Sequence, residues 1–175
     1  VERSSIETYT LRDEFSAKLY SNNNGTQTWA GDWVEINDDG NPANGRVKID
    51  LNQLRIEEKI KGIQRAGNLT GALSATLTFN YRRDKMDRST KYVSVDVSSD
   101  GGITWQQLGV IAGPANDTTA RQASYDVSAY ISGTFVVRLL TSSGMGGKLW
   151  VDNLQIEYSI DTAPPPEEPP VVELP

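Results

Sequence analysis

The feature that most constrains this chain is the alternation of apolar and polar residues in short runs separated by turn signals. In "LSATLTFNY", Leu73, Ala75, Leu77, Phe79 and Tyr81 point one way, and Ser74, Thr76, Thr78 and Asn80 the other. Val93, Val95 and Val97 alternate with Ser94, Asp96 and Ser98, and "RVKIDL" aligns Val47, Ile49 and Leu51. "GTFVVRLL" aligns Phe135, Val137 and Leu139. "LWVDNLQIEY" is expected to align Trp150, Leu154, Ile156 and Tyr158, with Asp152 on that same side; "SYDVSAYI" is a shorter candidate. A period of two is the period of a half-buried β-strand. Turn-forming clusters, "NNNG", "NDDGNPANG", "SSDGG", "AGPAND" and "SSGMGG", punctuate the runs.

One segment reads two ways. "LRIEEKIKGIQR" places Ile56, Ile60 and Ile63 at helical spacing. Gly62 and Gly67 disfavour a continuous helix. Two strands, "QLRI" and "GIQRAG", joined by a charged turn, fit better. With no crossover helix between the runs, the strands are antiparallel. The expected fold is all-β: an antiparallel, jelly-roll-like β-sandwich of two sheets.

The boundaries follow from composition. Residues 1–161 form the sandwich module. Residues 162–175 hold six of the eight prolines and read as an extended linker to a neighbouring domain of the same chain. The chain begins without Met and reads as a piece of a longer protein. No run of about 18 apolar residues is present, so no membrane insertion is expected.

Residue types narrow the chemistry. With no His and no Cys, triads, dyads and thiolate or imidazole metal sites are ruled out. A net charge of -6 disfavours nucleic acid as a partner. Any metal must be held by oxygen, which favours Ca2+. No carboxylate pair is fixed across a cleft by its spacing, so the expectation is that the chain is not an enzyme.

Three stretches carry candidate function. Asn22–Gly45 packs Trp29, Asp32, Trp33, Glu35, Asn37 and Asp38, with Asp39, into a loop-like region. Aromatic faces beside planar polar groups suit a sugar, and these residues form the candidate ligand site. The competing assignment puts both tryptophans in the core and the acids in solvated turns. "YRRDKMDRSTKY" gathers Arg82, Arg83, Lys85, Arg88 and Lys91, which reads as a solvated loop, or else as a surface for an acidic glycan. "SSDGGITW", Ser98–Trp105, reads as a hairpin in which Asp100 accepts backbone N–H groups and Gly101 and Gly102 take positive φ.

Taken in order, "RDEFS", "TWAGDWVEIND", "NLTGALSATLTFNYR", "VSVDVSSDGGITW", "YDVSAYISGTFVVRL" and "LWVDNLQIEY" resemble the jelly-roll modules of large bacterial surface and secreted proteins, adhesins among them. The layout is also similar to MAM domains, reelin-type repeats and β-sandwich carbohydrate-binding modules, over residues 11–158. The 98–105 stretch resembles the Asp-box of sialidases and reelin, here in a single copy. The resemblance implies a non-catalytic adhesion or ligand-binding module, extracellular or at the cell surface, whose partner is a cell-surface glycan or peptide. A structural spacer and the accessory module of a secreted hydrolase are the alternatives. It also implies a structural Ca2+ joining the first and last strands. The residues matching that pattern are Asp13, Glu14, Asp152 and Asn153.

Overall fold

The computed structural model describes residues 4–165 and 167–168. Eleven strands run in chain order: β1 (Ile6–Asp13), β2 (Val34–Ile36), β3 (Val47–Asp50), β4 (Gln53–Glu57), β5 (Gly62–Gly67), β6 (Ala72–Asp84), β7 (Tyr92–Ser98), β8 (Gln106–Ala112), β9 (Arg121–Asp126), β10 (Phe135–Thr141) and β11 (Lys148–Asp161). One short 3-10 turn, Ser128–Tyr130, takes the second half of the "SYDVSAYI" run. β4 and β5 are separate strands, as the glycines in that segment require.

The strands form two antiparallel sheets. One has six strands, in the order β3-β4-β11-β6-β9, with β1 also paired to β11. The other has five, in the order β2-β5-β10-β7-β8. Their inner faces meet in one apolar core, in which Val93, Val95, Val97, Phe135, Val137 and Leu139 are fully buried opposite Leu77, Ile156, Leu54 and Val47. This is the all-β, jelly-roll-like sandwich expected from the alternation. β11 ends at Asp161. The expected linker 162–175 lies partly outside the described residues.

Two alternation assignments fail at strand ends. Leu73 is exposed although Ala75, Leu77 and Phe79 are buried, because the pairing of β6 with β11 shifts register between Ser159 and Ile160. Leu51 is exposed because it turns the β3–β4 hairpin with positive φ, as does Asn52.

The organisation of β11 positions the site. One of its edges pairs with β6 along nearly its whole length. Its other edge pairs with β4 from Lys148 to Val151 and with β1 from Leu154 onward. Where the partner changes, the register against β6 steps from Asp152 opposite Asn80 to Gln155 opposite Thr78. Three steps on β11 therefore match two on β6, which is a β-bulge. Asn153 occupies it with φ 48, in the left-handed region that Asn tolerates better than most residues.

An extra residue reverses side-chain parity. Before the bulge Leu149 and Val151 face inward; after it Leu154, Ile156 and Tyr158 do. Trp150 and Asp152 thus lie on the outer face. This corrects the expected alignment of Trp150 and Asp152 with Leu154, Ile156 and Tyr158.

Candidate functional site

The tryptophans of the expected ligand loop are core residues. Trp29 and Trp33 are only 4% and 3% exposed, with ring centroids 5.9 Å apart, and Phe15 packs 5.9 Å from Trp33. Between core and surface lies the buried guanidinium of Arg65, 4.9 Å from the Trp29 ring and 5.7 Å from the Trp33 ring. Neither ring presents a face to a ligand, which corrects their assignment to a sugar site. Burial pulls the Arg65 pKa down to about 10, partly countered by Asp13 and the exposed Asp32. The side chain therefore stays charged at neutral pH.

Asp13 is the partner that makes this burial tolerable. Its Oδ1 accepts from Phe15 N at 2.7 Å and Asn22 Nδ2 at 3.1 Å. Its Oδ2 accepts from Trp33 Nε1 at 2.9 Å and Arg65 Nη1 at 3.1 Å. Arg65 also donates to the carbonyls of Gly31 and Asn22, both at 2.8 Å. Four N–H donors occupy the roughly four acceptor positions of the carboxylate. Asp13 has no position left for a metal.

The remaining residues of the loop staple it to the sandwich. Asp38 Oδ2 accepts from Arg46 N at 2.6 Å and Val47 N at 2.7 Å, and its Oδ1 lies 3.3 Å from Lys61 Nζ. Burial pushes the Asp38 pKa up, but these backbone donors and Lys61 outweigh it and hold the carboxyl below its ordinary range. Glu35 accepts from the Tyr20 hydroxyl and, at 2.6 Å, from Gly40 N; burial raises its pKa despite both bonds. Asn37, at φ 59, donates to the Ile60 carbonyl at 2.9 Å. Glu35, Asp38 and Asp39 bring carboxylate oxygens within 4.8 Å of one another. The six residues expected to form one ligand surface therefore divide between core, exposed flank and loop staples.

Asp152 and Asn153, expected as metal ligands, instead floor a polar groove on the outer face of the six-stranded sheet. Two adjoining pockets, of about 240 and 210 Å³, share Asn80. Trp150, Arg82, Asp152 and Gln53 line the first, and Arg12, Asn153, Gln155, Thr78 and Gln122 the second. Register explains this company. Asp152, Asn80 and Gln122 are cross-strand neighbours on β11, β6 and β9, and Arg12, Gln155 and Thr78 form the next row. The bulge places Asp152 and Asn153 both at the groove.

The expected calcium quartet does not fit as a ligand set. Arg12 takes the cationic position: its Nε lies 3.1 Å from Glu14 Oε1, out of line for a hydrogen bond, and its Nη2 donates to Asn153 Oδ1 at 3.2 Å. Asn153 N donates to Asp152 Oδ1 at 2.8 Å. Asp13 is turned into the core against Arg65, and Arg12 is the cation beside Glu14 and Asn153.

Asp152 has a raised pKa, chiefly through burial, with Glu14 and Asp13 adding to the rise and Asn153 and Arg12 opposing it. A carboxyl whose folded pKa lies above its ordinary 3.8 favours the fold when protonated, and that contribution is lost as pH rises through the folded value. Asp152→Asn is therefore expected to raise Tm at pH 7, with the gap to wild type closing near pH 3. Calorimetric melting across that range checks it; a lower Tm at pH 7 would show that the charge is stabilising.

The 98–105 hairpin is built as its residues require. Asp100 Oδ1 accepts from Thr104 N at 2.8 Å and Ile103 N at 3.1 Å, and Ser98 Oγ donates to it at 2.6 Å. Gly101 and Gly102 hold φ of 75 and 91. Trp105 lies under Arg138, whose guanidinium is 3.9 Å from the ring and pairs with Asp96 at 2.8 Å. These bonds close a turn.

Sequence reasoning missed the groove. Its signal was the amides Asn80, Gln122 and Gln155 at outward positions of β6, β9 and β11, interspersed with the charges Arg82 and Asp152.

The fold defines a class: two-sheet, antiparallel jelly-roll sandwiches. No family model matches the chain, and no curated protein matches it significantly. Among solved structures it is similar to a variant of a family 29 carbohydrate-binding module complexed with mannohexaose, with TM-score 0.56 and 11% identity over 90% of this chain and 94% of that one. Another variant of that module, complexed with cellulohexaose, gives TM-score 0.53 and 12% identity over 87% and 93%. A cleaved adhesin domain of Lys-gingipain from Porphyromonas gingivalis W83 gives TM-score 0.56 and 14% identity over 86% and 99%. At these identities the shared property is the fold.

Proposed function

We propose that this chain is a non-catalytic glycan-binding module of adhesive type, working outside the cell or at a cell surface beside other domains of its chain. Its site in this reading is the groove over the β11 bulge. The observation that carries it is the set of amides, Asn80, Gln122, Asn153 and Gln155, brought together from three strands beside Trp150. An amide both donates and accepts, as a sugar hydroxyl does. The groove is open, polar around Asn153, Gln155 and Gln122 and more apolar beside Trp150, a mixture that suits the hydroxyls and C–H faces of a sugar. Sandwiches of the same fold have been solved with mannohexaose and cellulohexaose.

Calorimetry and glycan-array binding test this. Asn80→Ala and Gln122→Ala, on the outer face, are expected to weaken binding by about tenfold each, the worth of roughly one hydrogen bond to a desolvated partner, with little change in Tm. An array of neutral and acidic glycans that yields no ligand would end the glycan reading. Binding that both variants leave intact would move the site off this face.

Ca2+ stays in the proposal as the expected cation, relocated from the first and last strands. Glu35, Asp38 and Asp39 offer the gathered carboxylates, with Lys61 meeting Asp38 alone among the three. Titration with Ca2+, and melting with and without EDTA, decides it. No heat and no change in Tm would remove the ion.

A further inference from the structure

The outer face of the six-stranded sheet carries buried N–H donors that lack an aligned acceptor. Trp150 is 6% exposed, and its Nε1 has no partner. Arg55 Nε and Arg12 Nε, on the same sheet face, are also buried without an aligned acceptor. Buried donors are satisfied in the great majority of cases, so three on one face require an explanation. The indole is clasped between two guanidinium groups: Arg55 lies 5.8 Å from the ring and Arg82 5.5 Å. All three belong to one cross-strand row, Arg55 on β4, Trp150 on β11 and Arg82 on β6.

The arginines of this region differ in what holds them. Arg12 pairs with Glu14, Arg55 with Asp50 and Glu57, and Arg83 with Asp117. Among the described residues Arg82 makes no ion pair, and its contact is the Trp150 ring. A partly exposed arginine on an aromatic face gains about 0.5–1 kcal/mol, less than a two-pronged bond to a carboxylate supplies. Arg82 is thus held in place weakly, with its N–H groups uncommitted, at the mouth of a groove lined by amides.

We infer that the groove recognises an acidic glycan, and that Arg82 binds the carboxylate of a uronic acid residue while the amides of Asn80 and Gln122 take its hydroxyls. This rests on the glycan reading above and narrows it to a substrate class. The planar guanidinium matches a planar carboxylate in a way that lysine does not. Moving Arg82 onto the ligand uncovers one side of the indole, where an apolar sugar face stacks. Asp152 is the opposing charge in the groove, with Arg12, Glu14 and Asp13 around it. Its raised pKa makes it easier to neutralise than an ordinary carboxyl.

The test is calorimetry with the whole chain and three hexasaccharides: oligogalacturonate, mannohexaose and a sulfated neutral oligosaccharide. The expected result is oligogalacturonate binding at least about tenfold tighter than mannohexaose at low salt, the preference shrinking as salt rises. Arg82→Gln is expected to abolish that preference without changing Tm, and Arg82→Lys to keep only part of it. Mannohexaose binding as tightly as oligogalacturonate, or an unchanged preference in Arg82→Gln, overturns the inference and leaves the glycan reading standing. Equal binding of the sulfated sugar overturns the carboxylate assignment. Binding of none of the three overturns the inference, and the glycan array then decides the broader reading.

Discussion

Replacing Asp13 with alanine is expected to cost about 3–5 kcal/mol of folding stability, the usual loss when one partner of a buried ion pair is removed. The size follows from what is left behind. Arg65 keeps its charge in the core, and the Trp33 indole N–H, the Phe15 amide and the Asn22 amide lose their acceptor. Urea unfolding of wild type and variant gives the number. Adding Arg65→Met to Asp13→Ala is expected to recover part of the loss, since the stranded charge goes with it. A double variant no better than Asp13→Ala alone would show that the pair is not coupled. The loss is also expected to be equal in Ca2+ and in EDTA, because the four groups on this carboxylate are N–H donors. A loss seen only in Ca2+ would return Asp13 to a metal site.

Trp33→Ala is expected to have an effect of similar size, about 3–5 kcal/mol, from a cavity among Phe15, Trp29 and Arg65 and from the lost bond to Asp13. Trp33→Phe keeps a ring in the core and removes only the N–H donor, so it should cost less and remain folded. Glycan affinity of Trp33→Phe is expected to match wild type, because the groove lies on the outer face of the other sheet. Lost affinity at unchanged Tm would put this ring back in a ligand site. Together the two substitutions separate the hidden Asp13–Arg65–Trp33 cluster, which holds the fold, from the groove, which we assign to binding.

These expectations invert the most direct inference from composition. Tryptophans among acids and amides describe a sugar site as well as they describe a core with a polar lid. What separates the two is Arg65, which lies 52 positions from the carboxylate it meets and 34 from the Gly31 carbonyl. No local pattern reports that encounter. "WVDNLQI" misleads for a different reason. Period-two alternation assigns faces only while the count is unbroken, and the bulge at Asn153 adds one residue. Asp-Asn inside a strand was a hint, since Asn tolerates the left-handed region. The count of residues against β6 is nonetheless a property of the pair and cannot be read from β11 alone.

By itself the sequence determined the class of fold. Alternation in "LSATLTFNY", "YVSVDV" and "GTFVVRLL" specifies half-buried strands, and the Gly/Asn/Asp turns specify where they end. The "SSDGGITW" hairpin is specified almost wholly within eight residues, because its donors and acceptor are at most four positions apart. The missing His and Cys narrowed the chemistry through residue types alone. Only the tertiary structure decided which tryptophans are inside, which charge neutralises Asp13 and where an open polar surface lies. Each of these depends on contacts between strands distant in the chain, and above all on β11 exchanging β4 for β1 at its bulge. Local periodicity is encoded by neighbours in sequence, whereas sidedness after a bulge and the pairing of buried charges are set by partners in space.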